Sequence, residues 1–183
     1  LLTAVIKLGM KHILVQEMYS VETLARVDVL CLDKTGTITQ GKMTVKGLEL
    51  LSERFTKEEL ERLLAAYMQH SKDKNATAQA IRNAYEGLEH HYQVGDVIPF
   101  SSDRKWGAME LEGLGTVFLG APEMLLDAEV PEAIEALERG SRVLVLALSQ
   151  EKLDHHKPQK PSDIQALALL EILDPIREGA AET

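Results

Sequence analysis

Val27-Asp28-Val29-Leu30-Cys31-Leu32-Asp33-Lys34-Thr35-Gly36-Thr37-Ile38-Thr39 is the stretch whose reading decides the fold. Residues 27–32 are apolar or β-branched apart from Asp28 and run straight into a polar loop, which predicts a buried strand ending at Asp33. A carboxylate at the end of a buried parallel strand is exposed at the top of the sheet, and Gly36 lets the backbone turn its amides toward an anion. Such an aspartate can attack a phosphoryl group to give an acyl phosphate, with a divalent metal screening the oxyanions. Two residues later stands Thr35 rather than a second carboxylate. Without a general acid or base there, the acyl phosphate persists long enough to drive something else. An ordinary polar turn is the competing reading, but a specified five-residue string such as Asp33–Thr37 arises by accident only on the order of once in ten thousand chains of this length.

Outward from this loop, Thr56-Lys57-Glu58-Glu59 is a capping box, followed at helical spacing by Leu60, Leu63, Leu64 and Tyr67, and a helix of about 14 residues is expected. Asn75 can cap a second helix carrying Ala80, Ile81, Ala84, Tyr85 and Leu88 on one face, with Gly87 near its end. Pro131 and Gly140 bracket a third over Pro131–Arg139. Strands are expected at Val94–Phe100, Trp106–Glu112, Thr116–Leu119, Val143–Leu148 and Gln165–Leu173. Helices clustered among strands, rather than alternating with them, suggest an α+β module, largely antiparallel, inserted after the first strand.

The 183 residues contain 20 basic and 29 acidic side chains, a formal charge of −9, which argues against a nucleic-acid or anionic-membrane binder. A phosphate would have to meet a local site. The single cysteine, Cys31, makes no internal disulfide, suits a reducing compartment, and is expected in the core of the first strand. No apolar run reaches the roughly 18 residues of a membrane helix. His90-His91 and His155-His156 read as solvent-exposed turn pairs, and the acid-rich Glu123–Glu138 as a solvated helix face. The chain begins at Leu1 and stops just after the start of what reads as a helix, as an excised piece would.

DKTGTIT at 33–39 resembles the phosphorylation motif of the P-type cation-transporting ATPases, and further segments follow in that family's order: PFSSDRK at 99–105, GAPE at 120–123, GSRVLVLA at 140–147 and DPIR at 174–177. The resemblance covers the whole chain. It implies an α+β (α/β) architecture, an antiparallel sheet flanked by helices, inserted in a truncated haloacid-dehalogenase-like domain. Residues 1–40 would be a stalk end with the first strand and loop of the phosphorylation domain, 41–173 the nucleotide-binding domain, and 174–183 the return hinge.

Position by position, the resemblance implies that Asp33 is the aspartyl-phosphate nucleophile and a magnesium ligand, that Thr35 offers its backbone oxygen to the same Mg2+, and that Lys34 and Thr37 help hold the phosphate. Phe100 would stack on the adenine of ATP, Lys105 and Gly120 would lie at the nucleotide pocket, and Arg142 would reach the nucleotide phosphates. Asp174 and Arg177 would form the hinge. A lone Phe in a strand is more often core, and an Arg before an apolar strand more often a solvated strand end, so the surrounding motifs carry both assignments.

Two positions depart from the family pattern: Leu119 where a lysine usually precedes GAPE, and Ala78 where a carboxylate usually follows the Ala-Thr pair. Adenine is therefore expected to bind more weakly or in a different orientation. The lack of a His-Pro dipeptide resembles calcium and sodium/potassium-like pumps more than heavy-metal pumps. The implied parent is a multi-pass cell-membrane protein with this region on the cytoplasmic side. Its partners would be ATP, an actuator domain and transmembrane region of the same polypeptide, and a cation held by membrane helices outside this sequence. A haloacid-dehalogenase-like phosphatase or phosphomutase with a cap, and a non-catalytic ATP-binding regulatory module, are the alternatives.

Overall fold

The computed structural model describes residues 1–152 and 154–180, with Thr35 described by its backbone alone. The chain divides into two compact units, Leu1–Lys34 and Thr35–Thr183. The last three residues of the expected 174–183 hinge segment lie outside the described residues.

The first unit holds two short helices, α1 (Leu2–Met10) and α2 (Met18–Leu24), neither of which buries a residue. The strand expected over residues 27–32 is not formed. Val27, Val29, Leu30 and Leu32 are exposed, as is Cys31, which corrects its expected place in the core. A strand exists only as one rail of a hydrogen-bonded ladder, and among the described residues every ladder is made by segments between Thr44 and Leu173.

The second unit is built on one six-stranded antiparallel sheet in the order β1-β6-β5-β4-β3-β2. Its strands are β1 (Thr44–Leu50), β2 (Val94–Ser101), β3 (Trp106–Leu111), β4 (Gly115–Gly120), β5 (Arg142–Ser149) and β6 (Gln165–Leu173). Five of these fall where the sequence predicts them. The sixth, β1, is an edge strand in which Lys46, Glu49 and Leu50 are exposed and only Leu48 is fully buried, with a register shift between Val45 and Gly47. Edge strands need little apolar surface, so the alternation that betrays a half-buried strand is too weak to see there.

The helices follow their predicted caps. In α3 (Lys57–His70) the Thr56 hydroxyl accepts from the Glu59 amide while the Glu59 carboxylate accepts from the Thr56 amide. In α4 (Ala76–Ala84) the Asn75 side chain accepts from the Ala78 amide at 2.8 Å. Two shorter helices complete the unit, α5 (Pro122–Leu125) and α6 (Pro131–Glu138), the latter ending before Gly140 at φ +81°.

Both faces of the sheet are covered. Leu146 and Leu148 of β5, Leu170 and Ile172 of β6, and Val117 and Leu119 of β4 pack with Leu60, Leu64 and Ile81 of α3 and α4. The alternate residues Val143, Val145, Ala147, Leu169 and Phe118 pack with Trp106, Leu125, Ala133 and Ala136 on the other face. This explains why residues 143–148 read as an unbroken apolar run: a strand buried on both faces has no polar side.

At the end of β4, Gly120 faces Trp106 across the β3–β4 ladder, and a Cβ there would sit 2.3 Å from Trp106 Cβ and 2.6 Å from the Lys105 carbonyl oxygen. Both obstacles are rigidly placed. Gly120→Ala is expected to destabilise the chain by about 1–3 kcal/mol in urea titration, whereas Gly47→Ala, where nothing lies within 4 Å, should shift stability by less than about 0.5 kcal/mol.

Candidate functional site

The ends of β2 and β4, the start of β5 and residues of α3, α4, α5 and α6 line an open cavity of about 450 Å³. That volume lies within the ~300–1,000 Å³ range of small-molecule sites. Phe100, Lys105 and Arg142, which lie far apart in sequence, all line it. Phe100, at the end of β2, is 37% exposed, so its ring is available to a ligand rather than spent on the core. Lys105 closes the turn between β2 and β3 in a left-handed conformation, φ +55°, and its ammonium lies 3.2 Å from Glu123 Oε1. Arg142 opens β5, and its Nη1 donates to Thr77 Oγ1 at 2.6 Å.

Gly120, also predicted to lie at the pocket, is not on the cavity wall. It is buried behind the β3–β4 pairing, where its missing side chain lets the Lys105 carbonyl accept from the Ala121 amide at 2.9 Å. Leu119 and Ala78, the two departures from the family pattern, do line the cavity and are buried, so the wall is apolar at both positions.

Three features of the cavity escape a reading of the sequence. Thr77 orients Arg142 from α4. Arg82 donates to the carbonyls of Met68, Ser71 and Asp73, at 3.5, 3.4 and 3.1 Å, and so holds the α3–α4 loop that puts Asp73 on the wall. Tyr67 reads as a core position of α3 and is indeed buried, yet it also lines the cavity. Burial first, and the charge of Asp73 second, push its phenol well above the ordinary value, so it stays protonated.

The 33–39 segment spans the boundary between the two units. In the first, Asp33 is exposed and its Oδ1 accepts from the Lys34 amide at 2.7 Å. In the second, the backbone of Thr35, Gly36 and Thr37 continues a π-helical turn that ends at Ile38, and the side chain of Thr35 lies outside the described residues. Thr39, which follows, is fully buried.

A clip joins this segment to the predicted hinge. Thr39 Oγ1 donates to Asp174 Oδ2 at 2.5 Å and accepts from the Gly36 amide at 3.1 Å, while the Gly41 amide donates to Asp174 Oδ1 at 3.0 Å. Arg177 Nε and Nη2 donate to the carbonyls of Thr39 and Gly36, each at 2.9 Å, and Thr39 bridges Ile176 in antiparallel fashion. Asp174 and Arg177 are therefore brought together around one buried hydroxyl, and the two chain crossings leave the sheet side by side.

Elsewhere the predicted turn histidines are less free than expected. His90 Nε2 lies 2.5 Å from Gln69 Oε1 and its ring stacks on Tyr92, and burial, then His70 and His91, hold its pKa below the ordinary value. His155 Nε2 lies 3.3 Å from Asp96 and 3.4 Å from Glu110, tying its loop to β2 and β3. The acid-rich stretch is solvated but paired in part: Glu123 with Lys105, Asp127 with Lys160, and Glu135 with Arg139.

No family model matches the chain. A probable cation-transporting ATPase, exp7, of Streptococcus pneumoniae serotype 4 is 78% identical over 183 residues, which is all of this chain and 23% of that protein. The calcium-transporting ATPase CtpE of Mycobacterium bovis is 37% identical over 186 residues, covering 98% of this chain and 22% of that protein. The chain belongs to the cation-transporting P-type ATPases. It spans under a quarter of the length of these curated relatives.

Solved structures agree on the fold. A zinc-transporting PIB-type ATPase in the E2.Pi state superposes with a TM-score of 0.62 at 22% identity, over 92% of this chain and 25% of that one. The catalytic CPx-ATPase domain CopB-B gives 0.57 at 16% identity, over 93% and 51%. The six-stranded antiparallel sheet flanked by helices is the nucleotide-binding-domain fold of P-type ATPases. No helix among the described residues is long and apolar enough to cross a membrane.

The clip makes a stability prediction. Asp174→Ala removes the acceptor for the Thr39 hydroxyl and the Gly41 amide, and is expected to cost about 1–3 kcal/mol. A urea midpoint equal to that of the unchanged chain would show that the clip does not hold the unit together.

Proposed function

We propose that this chain is the ATP-binding segment of a P-type pump that phosphorylates Asp33 and couples the acyl phosphate to movement of a cation, calcium, across a membrane. The observation that carries the nucleotide assignment is the convergence of Phe100, Lys105 and Arg142 on one cavity of suitable size. Stacking on Phe100 needs no base-specific hydrogen bond, and the planar fork of Arg142 suits phosphate oxygens. Lys105, at the turn between β2 and β3, adds a second positive charge near the phosphates; Gly120 acts through backbone packing rather than contact.

For the chemistry, the Asp33 carboxylate attacks the γ-phosphorus, an Asp33 oxygen–phosphorus bond forms, and the bond from that phosphorus to the β-γ bridging oxygen breaks, releasing ADP. Lys34 and Thr37 steady the phosphoryl oxygens. The oxygen donors of Asp33 and the Thr35 carbonyl are the hard ligands that Mg2+ prefers when it keeps several waters and binds substrate phosphates. When bound, Mg2+ neutralises charge on the phosphates. Thr35, in place of a second carboxylate, leaves the acyl phosphate without a neighbouring base and so long-lived.

The first strand and loop, residues 27–39, would complete a phosphorylation domain by pairing with strands of the longer protein. That accounts for the apolar side chains exposed at Val29, Leu30 and Leu32. The calcium assignment is supported by the calcium-transporting relatives at 37% and 35% identity. The likeness to zinc-transporting structures, at 22% identity, extends to the fold alone.

Two measurements test this reading. In the chain itself, Phe100→Ala should weaken ATP and adenosine alike by about 1–3 kcal/mol. Arg142→Ala should weaken ATP by roughly ten- to a hundredfold and leave adenosine nearly untouched; equal losses for both ligands in calorimetric titration would remove Arg142 as a phosphate ligand. In vesicles carrying the full-length pump, Asp33→Asn should abolish both the acid-stable, alkali-labile phosphoprotein and ATP-driven calcium uptake. Persistence of the phosphoprotein would place the nucleophile elsewhere, and uptake of another cation instead would overturn the calcium assignment.

A further inference from the structure

A bulge at the edge of the sheet sets two carboxylates side by side. In the β2–β3 ladder Val94 faces Leu111 and Val97 faces Met109, so Gly95 and Asp96 together oppose Glu110. The extra residue turns Asp96 onto the face that Glu110 shares with Ala108, and their carboxylate oxygens lie within 4.8 Å of each other. Like charges directly opposite one another across two strands are destabilising. Among the described residues no lysine or arginine pairs with either of them.

The side chain that meets both is His155, from the connection between β5 and β6. Its Nε2 lies 3.3 Å from Asp96 Oδ2 and 3.4 Å from Glu110 Oε1. An N–H···O hydrogen bond spans about 2.7–3.2 Å, so both separations are too long for one. They match instead the edge of a tetrahedron of ligands: arms of about 2.0–2.1 Å from nitrogen and oxygen donors to a central ion set neighbouring donors about 3.3–3.4 Å apart. The surroundings favour a cation as well. The groove that Glu110 lines also carries Glu112 and Glu151 against Lys152, so its field is negative.

We propose that Asp96, Glu110 and His155 form a binding site for a divalent transition-metal ion, of which Zn2+ fits best, with water in the fourth position. Two carboxylates neutralise the dication, and the imidazole favours Zn2+ over Ca2+ and Mg2+, which prefer oxygen alone. Asp96 is exposed and the other two side chains are about one-third exposed, which leaves the water position open. The ion turns a repulsive carboxylate pair into a neutral centre and fastens the β5–β6 connection to the sheet edge. None of the three residues lines the nucleotide cavity, so this site is separate from the one assigned to ATP.

The test titrates the chain with Zn2+ in a non-coordinating buffer, followed by calorimetry and by the ring-proton NMR signals of its six histidines. One Zn2+ per chain is expected, with the His155 signals moving first and those of His90 and His91 only in excess metal. Even partners outside the ligand set are worth about 10–100-fold in metal affinity, so His155→Ala and Glu110→Gln should each weaken Zn2+ at least that far, while His156→Ala leaves it unchanged. Saturating Zn2+ should raise the thermal midpoint of the unchanged chain and leave that of His155→Ala where it was. No Zn2+ binding, or ready displacement of Zn2+ by Ca2+ or Mg2+, overturns the proposal. So does first movement of another histidine, or full affinity in His155→Ala, either of which would mark an adventitious ion only. The NMR reading is made on the unchanged chain and so decides the matter even where a variant fails to fold.

Discussion

Burial of the central strands on both faces is the constraint on which the rest of this structure depends. Val143, Val145 and Ala147 of β5 point to one layer while Leu144, Leu146 and Leu148 point to the other, and β4 and β6 repeat the arrangement. A sheet of this kind cannot leave either face to water, so helices must cover both: α3 and α4 on one side, α5 and α6 on the other. Residues of all four helices meet at the ends of β2 and β4 and the start of β5.

What makes the cavity chemically useful is the division of its wall. One part consists of buried apolar residues from the same core that stabilises the unit, which suits a planar ring. The other is a rim of charged side chains already held in place, Arg142 by Thr77 and Lys105 by Glu123. The Lys105–Glu123 pair is exposed and therefore weak, whereas Arg142 is held against the buried Thr77. The same packing that supplies stability therefore also shapes the cavity wall.

A second theme is closure. The unit is entered at Thr35 and left after β6, and the two crossings are tied by Asp174 and Arg177 around Thr39. These bonds link groups more than 130 residues apart in sequence, so they tie the entry of the module to its exit. Residues 27–32 contrast with this. They carry the composition of a buried strand but gain no ladder, because pairing is a property of neighbours and not of the strand itself.

The sequence by itself determined most of the elements and the residues of the motif. Capping chemistry at Thr56 and Asn75 is local, and the apolar run of residues 143–148 announces two-sided burial, so helices α3 and α4 and five strands were legible without coordinates. Only the tertiary structure decided that Phe100, Lys105 and Arg142 face one cavity, that Gly120 works behind the wall, and that Tyr67 is more than core. Each of those facts depends on which segments lie side by side, and spacing along a chain records nothing about that. β1 stayed hidden because an edge strand pairs through its backbone, which every sequence possesses. Cys31 and its neighbours were misplaced for the complementary reason: apolar side chains state a preference for burial, and only partners in space can satisfy it.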